Sequence, residues 1–150
     1  MLRPLSLALA FAAATGPVAA QTVSDCSGFV ASAENIFEPW EDYSRTFANG
    51  DIRVAMLDTI EPAAAAVHLL VLAPPYDELG GRRCAVVGEN RNAGFGDMDF
   101  PAMQASYTPA TGLTLTVPIR RFDPNSGDFL PRLLSVTINQ ANGAVAAVVN

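Results

Sequence analysis

Paired carboxylates are the side chains whose types and spacing come nearest to catalysis in this sequence. Asp97 and Asp99 lie in a glycine-rich stretch, a short way after Glu89. Hydrolysis of a glycosidic bond needs two carboxyl groups that face each other across a cleft. Asp97 or Asp99 with Glu89 could supply them in a cell-envelope hydrolase. Because most acidic pairs are solvated surface, this is the alternative and not the leading hypothesis.

A second group of oxygen donors has a spacing reminiscent of a calcium loop. Asp123, Asn125 and Asp128 recur at steps of two and three residues in one polar stretch, and Asp97 and Asp99 are two residues apart. Neither group continues to the glutamate at the twelfth position that completes an EF-hand loop. The spacing favours a turn in which these side chains bond their own backbone. A structural domain stabilised by calcium is therefore a further alternative, and we predict no metal site.

The single histidine, His68, lies inside the apolar run 63–73. One imidazole cannot build the two- or three-histidine site usual for zinc. The apolar run favours a packed core histidine over a general base. The sequence has no Gly-x-Ser-x-Gly elbow and no phosphate-binding loop with its lysine. We therefore predict no catalytic residue and no cofactor, and we favour a protein that is not an enzyme.

Two loops offer recognition chemistry instead. Loops 74–83 and 88–100 combine aromatic, apolar and charged side chains on a glycine-containing backbone, as binding loops on a rigid sheet do. They flank one predicted strand, so we expect them at opposite ends of it. The alternative is that their apolar side chains fold back and plug the end of a small barrel. The residues predicted to bind a partner are Tyr76, Asp77, Arg82, Phe95, Asp97, Met98 and Asp99.

The amino-terminal stretch 1–20 has the pattern of a secretory signal peptide. An arginine precedes an apolar run, and small residues follow it as far as Ala20. Cleavage near Ala20 would leave 21–150, a length suited to a single domain. We expect a periplasmic protein of a bacterium, or a secreted one.

Charge narrows the class of partner. The chain carries 15 acidic and 9 basic residues, a formal net charge of −6. Loss of Arg3 with the signal peptide lowers that value by one, to −7. An acidic surface disfavours nucleic acid and anionic lipid, and no second apolar run is long enough to span a membrane. We expect a monomer that binds a protein or a small ligand in the cell envelope.

Cys26 and Cys84 are the only cysteines. An even number of cysteines in an exported chain predicts one disulfide. A redox or metal pair is disfavoured because the two residues are far apart in sequence and form no Cys-x-x-Cys motif.

The periodicity predicts one helix near the amino terminus. Ser24 or Asp25 could cap it, and Pro39 would end it. Its apolar residues recur at steps of three and four: Phe29, Val30, Ala33, Ile36 and Phe37.

Alternating apolar residues predict strands in the rest of the chain. The clearest case is the hairpin 100–122, whose second arm alternates from Leu113 to Ile119 around a turn closed by Gly112. The stretch 63–73 suits either a helix or a strand, and we favour a central strand in its second half. Pro118 indicates that its strand lies at an edge or is interrupted there, and a bulge is expected near 120–121.

Asn-Gly pairs set the register of two further hairpins. Asn49-Gly50 predicts Phe47 opposite Ile52. Asn142-Gly143 predicts the cross-strand pairs Val136 with Val149 and Ile138 with Ala147.

Together these patterns predict an α+β fold that is mostly β. The N-terminal helix is followed by an antiparallel meander of about seven or eight short strands, forming a curved sheet or a partly closed barrel with one disulfide. The leading hypothesis is an exported, non-enzymatic binding or accessory domain that uses loops 74–83 and 88–100.

Overall fold

The computed structural model describes residues 21–150, so the predicted signal peptide lies outside the described residues. The chain forms two antiparallel sheets. The first sheet has five strands in the spatial order β1-β5-β4-β3-β2. Their bounds are β1 Thr22–Asp25, β2 Ser44–Phe47, β3 Ile52–Asp58, β4 Val67–Ala73 and β5 Arg83–Gly88. The central position of β4 confirms the strand predicted in the second half of 63–73.

The second sheet is built on two long strands. It runs in the order β10-β9-β8, and both β6 and β7 pair with the far side of β8. The bounds are β6 Asp97–Met98, β7 Gln104–Thr108, β8 Gly112–Phe122, β9 Phe129–Ile138 and β10 Val145–Val149.

One hydrophobic core joins the two sheets face to face. Alternate residues of each strand point into it, such as Val54 and Met56 from β3, and Leu115 and Val117 from β8. Full burial of each such side chain stabilises the fold by roughly 1.5–3 kcal/mol. The fold is therefore a two-layer arrangement of ten strands, and the predicted α+β meander in a curved sheet or partly closed barrel is wrong.

The predicted N-terminal helix is also wrong. The helical elements of the described chain are four 3₁₀ turns of three residues each, two of them at Phe29–Ala31 and Ala33–Asn35. Asn35 donates from its side-chain amide to the carbonyls of Phe29 and Val30, at 2.7 and 3.2 Å. These carbonyls would otherwise bond along a helix. Phe29 is 60% exposed, so the periodicity that predicted a helix does not mark a buried helical face.

Segment 26–43 instead connects the two opposite edges of the first sheet. It starts after the edge strand β1 and ends at the edge strand β2, and Ile36 forms an isolated bridge to Leu57 of β3. Cys26 is bonded to Cys84 of β5, with 5.6 Å between their Cα atoms, as predicted. Closing this loop stabilises the fold by roughly 4 kcal/mol on the chain-entropy account.

The hairpin predictions have mixed outcomes. Phe47 pairs with Ile52, which confirms the first register. Gly112 has φ +97° at the turn of the confirmed 100–122 hairpin. In the last hairpin, Val136 pairs with Ala147, two residues from the predicted register. A shift by two keeps every side chain on the same face, so the alternation could not detect it.

The predictions of an edge position for this strand and of a bulge near 120–121 are wrong. The strand β8 has neighbours on both sides, and it pairs with β9 in one unbroken register from Leu113 to Phe122. Pro118 lies where the strand on the other side of β8 changes from β6 to β7. The interruption is therefore between β6 and β7, and β8 itself is continuous. No helix in the described residues is long and apolar enough to cross a membrane.

Candidate functional site

Loop 74–83 joins β4 to the start of β5, and an internal hydrogen-bond network closes its tip. The Asp77 carboxylate accepts from the backbone N–H groups of Leu79 (2.9 Å) and Gly81 (2.7 Å). The Asp77 N–H donates to the Gly81 carbonyl at 2.8 Å, and Gly80 donates to the Asp77 carbonyl at 3.0 Å. Gly80 has φ +84°, which favours glycine. Asp77 is therefore the residue that shapes the loop.

The tip displays an apolar side chain. Leu79 is 97% exposed, and Tyr76 beside it is 43% exposed. Scattered exposed leucines are normal on protein surfaces. Leu79 differs because hydrogen bonds within the loop hold its own backbone N–H in place.

A turn of another hairpin fixes the base of the loop. The Tyr76 hydroxyl donates to the Asp51 carboxylate at 2.7 Å. Arg82 donates to the backbone carbonyls of Asp51 (3.1 Å) and Gly50 (3.3 Å), and its guanidinium carbon lies 5.2 Å from the Tyr76 ring centroid. The hydrogen bond to Asp51 raises the pKa of the Tyr76 hydroxyl, so it stays protonated at neutral pH. These contacts join turn 48–51 and loop 74–83 into one surface.

Loop 88–100 lies at the other end of β5, as expected, but it turns inward. Phe95 is fully buried and Met98 is almost fully buried, so both belong to the core and cannot be exposed contacts. The apolar side chains of this loop therefore fold back, as the alternative prediction had it. They fill a core between two sheets and not the end of a barrel. Asp97 and Asp99 remain exposed.

Glycines explain how this loop can pack so closely. A Cβ atom at Gly94 would lie 2.1 Å from the Val67 carbonyl oxygen and 2.8 Å from the His68 ring. Gly94 also donates to the Ala65 carbonyl at 2.7 Å. Only glycine allows the backbone to approach β4 at this distance.

His68 is buried against this loop. Its Nδ1 lies 3.0 Å from the Ala66 carbonyl, which accepts a hydrogen bond from the ring. Its Nε2 has no hydrogen-bond partner in the described part of the chain. Burial lowers the pKa of His68, outweighing that hydrogen bond and the more distant Asp58 carboxylate. A neutral core histidine is what the apolar run indicates.

The three carboxylates of the alternative hypothesis, Glu89, Asp97 and Asp99, each bond to a different group. Glu89 forms a salt bridge with Arg121 at 2.6 Å. Asp97 accepts from the Met98 N–H at 2.8 Å, and Asp99 accepts from the Ala102 N–H at 3.2 Å as the cap of a 3₁₀ turn. Each carboxylate therefore has a local structural role.

The stretch 123–128 forms a compact turn. The Asp123 carboxylate accepts from the Asn125 backbone at 3.0 Å and from the Ser126 hydroxyl at 3.1 Å. The backbone bond from Asn125 contributes most to lowering the pKa of Asp123. Within 21–150, no three residues among His, Cys, Asp and Glu gather closely enough to hold a metal ion.

Loop composition placed Leu79 in the predicted contact loop 74–83, but sequence patterns did not indicate that Asp51 belongs to the surface around Tyr76 and Arg82. Asp51 follows an Asn-Gly turn and would ordinarily be solvated. Its contact with Tyr76 spans 25 positions in sequence, so no local pattern reports it.

A scan of family models and searches of curated proteins and solved structures find no match to this chain. Function must therefore be argued from the surface itself.

Proposed function

We propose that this chain is an exported, non-enzymatic binding domain of the bacterial periplasm that recognises a protein through loop 74–83 and turn 48–51. The observation that carries the proposal is Leu79, which is 97% exposed on a loop closed by the Asp77 carboxylate. A rigid loop loses little conformational entropy on binding, so a partner gains most of the contact energy of the leucine.

The surroundings of Leu79 favour a protein over a small ligand. Tyr76 and Arg82, which lie on either side of the tip of the loop, are of the residue types enriched at the energetic centres of protein interfaces. The depression beside the loop has a volume of about 180 Å³, below the roughly 300–1,000 Å³ of pockets that enclose small ligands. Leu79 projects from the surface, so it would fill a pocket on the partner and not line a pocket of this chain.

Export is supported by the signal-peptide pattern of 1–20 and by the disulfide, because disulfides persist in oxidising compartments. The acidic net charge favours a basic partner, since charge complementarity speeds encounter. Loop 88–100 is no longer part of the proposed contact surface, because Phe95 and Met98 are in the core.

The test is a pull-down from periplasmic extract with the oxidised mature chain as bait, at low and then moderate salt. Wild type should capture a discrete partner that salt weakens. Leu79→Ala should weaken binding of that partner by about tenfold or more, a loss of about 1.4 kcal/mol or more.

The matched control is Leu133→Ala, on the second sheet, because Leu133 is 41% exposed and remote in sequence from the loop. It should bind like wild type. Capture that is unchanged by Leu79→Ala, or an empty pull-down at both salt concentrations, contradicts the proposal.

A further inference from the structure

The outward face of the first sheet is apolar at its centre. The inward residues of β4 pack in the core between the sheets, and the outward residues of the same strand are His68, Leu70 and Leu72. A sheet face that meets water ordinarily carries polar side chains. This central strand instead directs two leucines outward, and both are only half-buried. The described chain therefore covers this apolar face only in part.

Cross-strand pairs order the outward face into three rows, because residues directly opposite each other share a face. From the most covered to the least covered, the rows are Leu57 with His68, Ala55 with Leu70, and Arg53 with Leu72. Leu57 is fully buried, whereas Arg53 is exposed. Segment 26–43 reaches the first row, where Ile36 forms its bridge to Leu57. Beyond Ile36 the face opens into a groove.

This groove has a volume of about 370 Å³. Its apolar walls are Ile36, Ala55, Leu70 and Leu72. Sites for small ligands have volumes of roughly 300–1,000 Å³ and are mostly apolar with a few polar groups. The groove lies near the lower end of that range, so it fits one short aliphatic chain. No residue of loop 74–83 or turn 48–51 lines it.

The charged side chains that line the groove are both arginines, Arg45 and Arg53. Arg45 donates to the backbone carbonyls of Pro101 at 2.8 Å and Met103 at 3.0 Å, so it has a structural role. Arg53 is exposed, and no carboxylate pairs with it in the described chain. The protein is acidic overall, but salt screens distant charges and no carboxylate lines the groove. The groove therefore offers one free positive charge beside an apolar wall.

We propose that this groove binds a fatty acid of short to medium chain length, with its aliphatic chain along Leu70 and Leu72 and its carboxylate on Arg53. A guanidinium and a carboxylate form two parallel hydrogen bonds. Arg53 lies directly opposite Leu72, so the head group and the chain of one ligand reach adjacent residues. Burial of the chain supplies most of the affinity. The arginine supplies the preference for an acid over an uncharged molecule of the same length.

NMR titration of the isotope-labelled, oxidised mature chain with octanoate at neutral pH tests the proposal. The amide signals of Arg53, Leu70 and Leu72 should shift and reach saturation. Two further probes separate the parts of the ligand, because 1-octanol has the chain without the carboxylate and acetate has the carboxylate without the chain. Octanol should bind about fivefold more weakly than octanoate, since an exposed ion pair contributes modestly. Acetate should cause no saturable shift.

Arg53→Gln removes the positive charge at an exposed position. Octanoate should bind this variant about fivefold more weakly, and its affinity should become equal to that of octanol. Thr46→Glu places a carboxylate opposite Arg53 on β2, so it should also weaken the binding of octanoate. The matched control is Arg132→Gln, which removes the same charge from an exposed position of the second sheet and should bind like wild type.

Thermal unfolding checks that each variant is folded. Should Arg53→Gln fail to fold, Thr46→Glu decides. Wild-type chain that gives no saturable shift with octanoate, that binds octanol as tightly, or that shifts only signals outside the groove overturns the proposal. Unchanged binding of octanoate by folded Arg53→Gln overturns it as well. These outcomes are independent of the pull-down, because the groove and loop 74–83 share no residue.

Discussion

The two loops that flank β5 have similar compositions, but one exposes its apolar side chain and the other buries its apolar side chains. Loop 74–83 bonds to itself through Asp77 and displays Leu79 to solvent. Loop 88–100 bonds to Val67 of β4 through the backbone of Phe95, whose side chain is buried. The difference teaches that glycines and aromatic residues in a loop do not by themselves indicate a binding surface. The two loops also differ in the bonds at their tips, because the tip of loop 74–83 bonds within the loop, whereas Gly94 of loop 88–100 bonds to the Ala65 carbonyl ahead of β4.

The largest effect should come from truncating the buried aromatic ring. Phe95→Ala should lower the free energy of unfolding by about 3–5 kcal/mol, because it leaves a cavity between the sheets. Leu79→Ala should change it by less than about 0.5 kcal/mol, since the side chain contacts little. Urea denaturation measures both values. Similar losses for the two variants would remove the contrast between the loops.

Glycine substitutions test the same difference between the buried loop 88–100 and the exposed loop 74–83. Gly94→Ala should cost about 1–3 kcal/mol or more, because its Cβ would lie 2.1 Å from the Val67 carbonyl oxygen. Gly80→Ala meets no atom within 4 Å, and its cost should be only about 1–2 kcal/mol from the positive φ. Thermal unfolding of the two variants, compared with wild type, measures the ranking. A less stable Gly80→Ala than Gly94→Ala contradicts it.

The buried histidine predicts a pH dependence at the inward loop. Burial lowers the pKa of His68 below its usual 6.5, so the unfolded chain binds a proton more readily than the folded chain. The stabilisation from neutral His68 is complete above pH 6.5 and declines as pH falls below it. Urea midpoints at pH 7 and pH 5 measure this decline. The decline should be smaller in His68→Gln, and an equal decline in both proteins would contradict the assignment.

The smallest effect concerns the outward loop. Tyr76→Phe removes the hydrogen bond to Asp51 at a partly exposed position, so the free energy of unfolding should fall only slightly. The spectroscopic titration of wild type should show a tyrosine with a pKa above 10, because the Asp51 carboxylate favours the protonated hydroxyl. That component should disappear in Tyr76→Phe. Its persistence in Tyr76→Phe would contradict the assignment of the raised pKa to Tyr76.

Short-range patterns predicted much of the second sheet. The alternation from Leu113 to Ile119 marks the inner face of β8 correctly, since these residues are buried at every second position. The same alternation could not give the register of β9 with β10, because the turn spans Asn139 to Ala144 and not the Asn-Gly pair alone. Both registers place the same side chains in the core.

Prediction of the site was less complete. Tyr76, Asp77 and Arg82 were identified from loop composition, and the structure brings Tyr76 and Arg82 together. Phe95 and Met98 were assigned to the same function and instead lie in the core. Composition could not distinguish the two cases, because burial depends on whether another sheet covers the loop.

The sequence by itself determined the elements that depend on neighbouring residues, which are the alternating strands and the tight turns, and it predicted the disulfide from its two cysteines. The tertiary structure decided that segment 26–43 connects the two edges of the first sheet without a helix, and that Asp51 meets Tyr76. These outcomes depend on contacts between residues far apart in the chain. Local preferences of about 1 kcal/mol per residue yield to such contacts when burial and backbone hydrogen bonding favour another arrangement.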